Sequence, residues 1–411
     1  MKIKTIAIST ILLILFTLNS FSCTTAVISG KYTVDGKPLL WKHRDTWAVN
    51  NVMSYFDDGK YSYTGLVNSL DTVDYSIWIG MNNIGFAIMN SASYNLNVGD
   101  TIIQSGTEGI LMKQALANCK NLNDFENFLD SLERPIKLEA NFGVIDAEGG
   151  AAYYELGNRG YKKIDANDPK IAPHGYIIRS NYSFTGEMGI GGGYIRYQTA
   201  SDLFYNAAST NTLSPEFILQ KVSKGLYHSL IKQDLIKTHG SEPENNPQYA
   251  AFRDYIPRTG SASSVVIQGI KEGQTPDYTM LWSLVGFPLT SVVVPVWMVA
   301  ENNFPDILKY DEDLKDSPIC YAALTLKKDC FPIRWGISEK YYIDVNKLHN
   351  ANKTGILQIV KPYEDEIIRK TKDLIFDIEE NELSQSKIKK LNNWINKFIS
   401  KMYADEFGIS I

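Results

Sequence analysis

The chain has 411 residues, 44% of them hydrophobic and 21% charged, which is ordinary globular composition. A body of this size buries a core without disulfide or metal staples, and a net charge of −5 argues against nucleic acid or an anionic membrane as a main partner. No basic stripe, glycine-rich phosphate loop, heptad run or internal repeat is present, and no clustered His/Cys spacing points to a metal or cofactor.

The first element is a leader. Lys2 and Lys4 precede an apolar stretch, Ile6 to Leu18, broken only by Ser9, Thr10 and Thr17. It is shorter than the ~20 apolar residues of a membrane span, and it reads as a secretory signal peptide. Ser20-Phe21-Ser22 is a small-x-small pattern suited to cleavage after Ser22, which makes Cys23 residue one of an exported protein, periplasmic or extracellular. Loss of Lys2 and Lys4 takes the net charge from −5 to −7, and no stable membrane span remains. The other reading is a lipoprotein with a lipidated cysteine at the cut. Its motif wants an aliphatic residue three before the cysteine and a small one two before it, where this chain has Ser20 and Phe21.

From Cys23 the chain is β-rich. Thr24–Ser29 is a β-prone run, Asp35-Gly36 a turn, and Leu39-Leu40-Trp41 the return strand of a hairpin. Further strands are expected at Tyr61–Leu66, Tyr75–Ile79 and Gly85–Met89, the last two joined by Asn82-Asn83. Helices follow at Thr107–Cys119 and Asn123–Leu132, with Asn123 as a candidate N-cap and Pro135 beyond the end. Cys119 packs in the first of these as a small hydrophobe. A second β block spans Phe142–Asp146, a turn at 147–150, Ala151–Glu155 and Tyr176–Ser180. Helices are expected around Arg196–Tyr205 and Pro215–Lys224, where proline at the first position costs no hydrogen bond. His239–Tyr255 reads as a surface loop, and strands resume at Ser263–Ile267, Thr279–Trp282 and Ser291–Val294. Cys320 and Cys330 are close enough in sequence for a disulfide in an oxidising compartment. The five histidines are scattered, most of them read as structural or surface residues. Beyond Tyr363, apolar residues at helical spacing predict a helical hairpin braced on the body. The division is a leader at 1–22, a catalytic domain at 23–356 and a helical extension at 357–411. Strand blocks separated by helix pairs suit a layered α+β fold with mostly antiparallel sheets.

Cleavage before Cys23 would give the thiol its own base. A free α-amine has a pKa of ~7.7–8 and a thiol ~8.5, so the amine can take the thiol proton with no histidine involved. A residue retained in front would turn that amine into an amide and remove the base.

Cys23-Thr24-Thr25-Ala26, a hairpin, and then Lys42-His43-Arg44-Asp45 resemble the start of N-terminal-nucleophile hydrolases of the linear-amide class. This group includes penicillin V acylase, bile-salt hydrolase, the acyltransferase that makes penicillins from 6-aminopenicillanic acid, and secreted dipeptidases. The resemblance implies a four-layer αββα sandwich. It also implies that Asp45 contacts and orients the nucleophile's amine, and that the Asn181 amide of Arg179-Ser180-Asn181-Tyr182 donates to an oxyanion. Arg196 matches an arginine that stabilises the nucleophile, and a backbone N–H at Asn90 or Ser91 is the second oxyanion donor. Lys42 stands where bile-salt hydrolases carry arginine, with Arg44 beside the aspartate; each is either a cation near the thiol or a surface charge at a strand end. Asn141 is a supporting residue. The resemblance runs from Cys23 to about Trp297.

The expected activity is hydrolysis of a linear amide through a Cys23 thioester, without cofactor. Acyl transfer of the 6-aminopenicillanate type and dipeptide cleavage are the alternatives. The substrate is a small acyl amide or short peptide, and Tyr55, Tyr94, Tyr182 and Trp282 either wall an acyl pocket or belong to the core. The reading from another class is a lipid-anchored envelope protein that binds and does not react. Oligomeric state is left open.

Overall fold

The computed structural model describes residues 22–71, 75–102, 104–333, 342–381 and 383–411. The leader expected at 1–22 lies, up to residue 21, outside the described residues. The chain runs β1 (Ser22–Ile28), β2 (Leu39–Asp45), β3 (Asn51–Phe56), β4 (Tyr63–Asn68), β5 (Ile79–Asn82) and β6 (Ala87–Ala92). Helices α1 (Glu108–Asn118) and α2 (Leu122–Ser131) follow, then β7 (Ala140–Ile145), β8 (Ala151–Gly157), β9 (Gly160–Asp165), β10 (Tyr176–Arg179) and α3 (Tyr194–Ser209). Strands β11 (Ser261–Gln268), β12 (Met280–Val285) and β13 (Val294–Trp297) precede α4 (Pro318–Cys330) and a closing pair, α5 (Ile356–Glu380) and α6 (Gln385–Phe407).

Two antiparallel sheets result. One has six strands in the order β10-β1-β2-β11-β12-β13, and the other has seven in sequence order from β3 to β9. They stack face to face, with β1 and β2 against β6 and β7. Helix α1 covers the outer face of the seven-stranded sheet and α3 that of the six-stranded one, which is the αββα layering expected from the sequence. Close stacking explains Gly143 on β7: a Cβ there would come within 2.8 Å of Val27 and 2.3 Å of Met89. A second core lies under α1 and α2, where Phe86, Phe125, Phe142 and Tyr154 are buried together.

Strands β3 and β9 escaped the sequence reading. They are the two edges of the seven-stranded sheet. Neither alternates: β3 carries apolar doublets, Val52-Met53 and Tyr55-Phe56, and β9 is polar and only partly buried along its length. The N-cap of α2 is Asn121, whose side chain accepts from Asp124 N, and not Asn123. Much of Pro215–Lys224 is a π-helical turn, Phe217–Val222. The expected loop at 239–255 holds a short strand, Tyr249–Ala251, paired with Tyr342–Asp344.

The disulfide expectation is corrected. Cys320 and Cys330 are both free and buried, and both belong to α4. Ten residues of helix separate them by ~15 Å along the axis, far beyond the ~4.4–6.8 Å that a bridge spans between Cα atoms. Cys119 is also buried and free.

Helices α5 and α6 form an antiparallel pair, with Tyr363 donating to Glu406 and Lys387 paired to Asp377. They dock on the body through Tyr403, whose hydroxyl donates to Thr290 O (2.9 Å), and through a buried Lys224–Glu364 ion pair of 2.6 Å.

Candidate active site

Strand register sorts the site into two faces. Cys23 pairs with Arg44, and Thr25 with Lys42. Directly paired residues share a face and the face alternates along each strand. Cys23, Thr25, Lys42 and Arg44 therefore point into the space between the sheets. Ser22, Thr24, His43 and Asp45 point to the α3 side. The hydrogen bonds agree: Tyr153 of β8 donates to Thr25 Oγ1 at 2.8 Å, while Arg196 of α3 donates to Thr24 Oγ1 at 2.7 Å.

On the inner face two cations flank the thiol. Lys42 Nζ donates to the backbone and side-chain oxygens of Asn90, both at 2.6 Å. Arg44 donates to Asn51 Oδ1 (2.6 Å) and Asn68 Oδ1 (2.8 Å), and its guanidinium lies 4.5 Å from the centre of the Trp78 ring. Both side chains are buried, so neither is the surface charge that one sequence reading allowed. Their hydrogen-bond acceptors are neutral amides and carbonyls. Burial lowers Lys42 to about 8, with the Cys23 sulfur opposing and Arg44 assisting. Arg44 falls to about 10, again through burial first. Burial raises the carboxyl of Glu108, at the start of α1, against the pull of Lys42.

On the α3 side the Cys23 nitrogen donates to Asn181 Oδ1 at 3.0 Å. The same oxygen accepts from Ser22 Oγ (3.0 Å) and Arg196 Nη2 (2.8 Å). Arg196 Nη2 also donates to Ser22 Oγ at 2.6 Å, and Nη1 to Cys23 O at 2.7 Å. The Asn181 nitrogen end donates to Ala92 O at 3.0 Å, so this amide bridges the Cys23 nitrogen and the end of β6 beside Asn90 and Ser91. The position follows from the chain path. Asn181 and Gly192 exchange backbone hydrogen bonds of 3.1 Å just past β10, and Gly193 (φ 82°) then starts α3 and swings Arg196 inward.

Asp45 does not meet the Cys23 nitrogen in this chain, in which Ser22 still precedes it. Asp45 Oδ1 accepts from Ser261 Oγ (2.6 Å), and Oδ2 faces Arg258 Nε (3.1 Å) and, farther off, Arg196 Nη1 (3.9 Å). The expected Asp45–amine contact is replaced by Asn181, because Asp45 pairs with Ser22 and not with Cys23 in the β1–β2 ladder. His43 Nε2 lies 2.9 Å from Ser261 Oγ. The trio resembles a Ser-His-Asp relay but is wired differently. Ser261 gives its one proton to Asp45, so His43 must be the donor through Nε2–H. Burial pushes His43 down to about 4, which keeps that ring neutral. Its Nδ1 is buried without a partner.

The structure thus brings together Cys23, Asp45, Asn181 and Arg196, with Lys42, Arg44, Asn90 and Ser91 around them. Asn141 lies farther out, donating to Ser91 Oγ (3.4 Å) and Tyr182 O (3.3 Å) and accepting from Ser183 Oγ (2.7 Å). Sequence reasoning missed His43, Arg258 and Ser261. The ladder Asp45↔Ser261 is what joins them, and Ser261 opens β11 two residues before the strand expected at Ser263–Ile267. Among the proposed pocket aromatics, Trp282 is in the core, donating to Gln268 at 3.2 Å, and is removed from the site. Tyr182 stacks on Tyr194 at 4.3 Å in a cluster with Phe184 and Tyr197 beside α3. Burial first, and the Cys23 sulfur second, raise the Tyr94 hydroxyl, which stands near the thiol as Tyr153 does. Among the described residues no group of three or more His, Cys, Asp or Glu side chains is placed to hold a metal ion, and no helix is long and apolar enough to cross a membrane.

No protein-family model matches the sequence. No curated protein matches it. Among solved structures, a variant of conjugated bile acid hydrolase from Clostridium perfringens is 12% identical, covering 68% of this chain and 94% of its own, at a TM-score of 0.39. Penicillin V acylase from Agrobacterium tumefaciens is 13% identical over 67% of this chain and 86% of its own, at 0.37. An ortholog of N-acylethanolamine-hydrolyzing acid amidase from Caenorhabditis elegans is 13% identical over 45% and 79%, at 0.35.

Proposed function

We propose that the chain is an exported cysteine amidase that hydrolyses a linear amide, with Cys23 as nucleophile and, once residues 1–22 are removed, the α-amine of Cys23 as base. The observation that carries this reading is the position of Cys23. It starts a central strand, its sulfur faces two buried cations, and its nitrogen is held by the Asn181–Arg196 pair.

The amine takes the thiol proton, and sulfur attacks the carbonyl carbon of the substrate. The oxyanion is held by the Asn181 amide nitrogen and a backbone N–H at Asn90–Ser91, the two places that converge at the end of β6. The amine then protonates the leaving nitrogen, and the C–N bond breaks to leave a thioester on Cys23. Water adds to the thioester, the acid departs, and the thiol is restored. Asp45, fixed by Ser261 and Arg258, offsets the positive charge that appears on the amine. Hydrolysis is favoured over acyl transfer because an exported site meets water in excess.

The Ser22–Cys23 peptide supports the requirement for cleavage. With Ser22 attached, Cys23 N is an amide and the Ser22 hydroxyl occupies Asn181 Oδ1 and Arg196 Nη2. The test is a panel of N-acyl amides and dipeptides, reading released amine, given to protein beginning at Cys23 and to protein retaining Ser22. Turnover by the first alone is expected. Equal turnover by both would remove the amine from the mechanism, and an unreactive protein whose mass carries a diacylglycerol would favour the lipid-anchored binding protein.

A further inference from the structure

The end of the sandwich that carries Cys23 is ringed by loops. Ser22, Asp45 and Ser261 of one sheet meet Asn51, Asn68 and Ala92 of the other there, joined by the bonds of Arg44 and Asn181. Large apolar side chains stand out from the tips of these loops. Met188 is 95% exposed, Trp47 72%, Leu70 69%, Phe184 53% and Val98 44%.

Each tip is anchored to the site. Trp47 lies two residues past Asp45, in a turn whose Thr46 N donates to Gly260 O at 2.8 Å. Leu70 follows Asn68, the partner of Arg44, and its turn is tied to that of Trp47 by Ser69 N donating to Asn50 O at 3.1 Å. Phe184 and Met188 sit on the excursion that opens and closes at the Asn181–Gly192 pair. That excursion is braced. Glu155 accepts from Phe184 N (2.9 Å) and Thr185 N (2.8 Å), and Asn95 O accepts from Glu187 N (2.7 Å). Val98 is on the turn closed by Asp100 N donating to Asn97 O at 3.0 Å. Met188, Trp47, Leu70 and Val98 are carried on bonded backbone, where a collapsed loop would have buried them, while the half-exposed Phe184 keeps one side on Arg179 and Tyr197.

We propose that this ring docks the mouth of the Cys23 site on a zwitterionic lipid bilayer. The shape is the first reason. Single large side chains on separate tips, a tryptophan among them, suit insertion at headgroup depth, whereas a protein partner needs a continuous face of ~800 Å². The chain upstream is the second. The apolar run Ile6–Leu18 ends four residues before Ser22, and Ser22 lies inside this ring, bonded to Asn181 and Arg196. Four extended residues reach only ~14 Å, so while the leader is attached its apolar run and the ring stay within reach of one membrane. Charge is the third. Asp71, Asp100 and Glu187 share these turns and the chain is net acidic, which disfavours an anionic surface and leaves a neutral one. The inference does not depend on the reaction at Cys23.

The experiment uses protein beginning at Cys23 with phosphatidylcholine vesicles, scored by flotation and by tryptophan fluorescence. The chain is expected to float with the vesicles and its emission to shift to the blue, the shift vanishing in Trp47→Phe. A Leu70→Asp/Met188→Asp variant is expected to bind at least tenfold more weakly at unchanged Tm and unchanged turnover of a soluble short-chain amide. Protein that stays in the aqueous phase overturns the proposal, as does a variant that floats like the parent. Stronger binding to phosphatidylglycerol than to phosphatidylcholine overturns the choice of a neutral surface. A dimer in solution that the double substitution splits would assign the ring to a second copy of the chain instead.

Discussion

At the scale of the residue, the sulfur and the nitrogen of Cys23 have different surroundings. The thiol of Cys23 faces Lys42 and Arg44, and the nitrogen faces Asn181 and Arg196. Cys23→Ala is expected to lower turnover by at least ~10³-fold at unchanged stability, measured by released amine and Tm. A guanidinium that shares an acceptor with the amine disfavours the ammonium form, which keeps the base neutral. The acid limb of kcat/KM is therefore expected to move up by roughly one pH unit in Arg196→Met and to stay in Arg196→Lys; an unmoved limb in the methionine variant would refute that role. Lys42 is held to about 8 by burial, so its charge costs stability below pH 8 and the cost fades between 8 and 10.5. Lys42→Met removes that cost but leaves two Asn90 oxygens unpaired, each worth ~1–3 kcal/mol. The two effects offset, so Tm should change little while kcat falls by ~10²-fold. A large loss of Tm would make Lys42 a structural residue.

At the scale of the element, the start of α3 and the dock of α5 are the two sensitive joints. Gly193 has φ 82°, and a Cβ there would lie 2.3 Å from Arg196 Nη2 and 2.9 Å from the Ser180 Cβ. Gly193→Ala is expected to cost ~1–3 kcal/mol of stability and to lower kcat with it, because Arg196 must shift; urea unfolding and turnover of one preparation read both. The Lys224–Glu364 pair joins α5 to the body, and Glu364 Oε1 also accepts from Val293 N at 3.2 Å. Burial outweighs Glu364 and lowers Lys224. Glu364→Ala leaves that cation alone in the core and is expected to cost ~3–5 kcal/mol, whereas replacing both partners by apolar residues should be near neutral. Equal losses in the single and double variants would show that packing, and not charge, holds the dock.

For the whole molecule, His43 ties stability to acid. It is buried between the strands and α3, and burial lowers it from 6.5 to about 4. The folded state holds the neutral ring, so its contribution is complete above pH 6.5 and is lost as pH falls from 6.5 towards 4. The loss approaches about 3 kcal/mol at the lower end. His43→Gln should flatten the stability curve over that window in denaturant titrations, and an identical slope in both proteins would place the acid sensitivity elsewhere.

Much of this was legible beforehand. The Asp35-Gly36 turn and the β-prone runs on either side of it made a hairpin starting near Cys23 readable, because turn chemistry and alternation are local properties. The helices at 107–119 and 123–132 and the C-terminal pair followed from periodicity for the same reason. Strands β3 and β9 did not, since the doublets of β3 and the polar, half-buried run of β9 carry no two-residue alternation. The disulfide expectation failed because spacing in sequence says nothing of direction, and a helix put ten residues of rise between the two thiols. Side-chain roles were the least legible. Cys23, Asp45, Asn181 and Arg196 were named from sequence, but only the antiparallel register decided that Lys42 and Arg44 share the thiol's face. The same register put Asp45 opposite Ser22 and Ser261, and left the nitrogen of Cys23 to Asn181. A one-residue slip would exchange those faces, and register is set by contacts between segments as far apart as Asp45 and Ser261, 216 residues, which no local pattern contains.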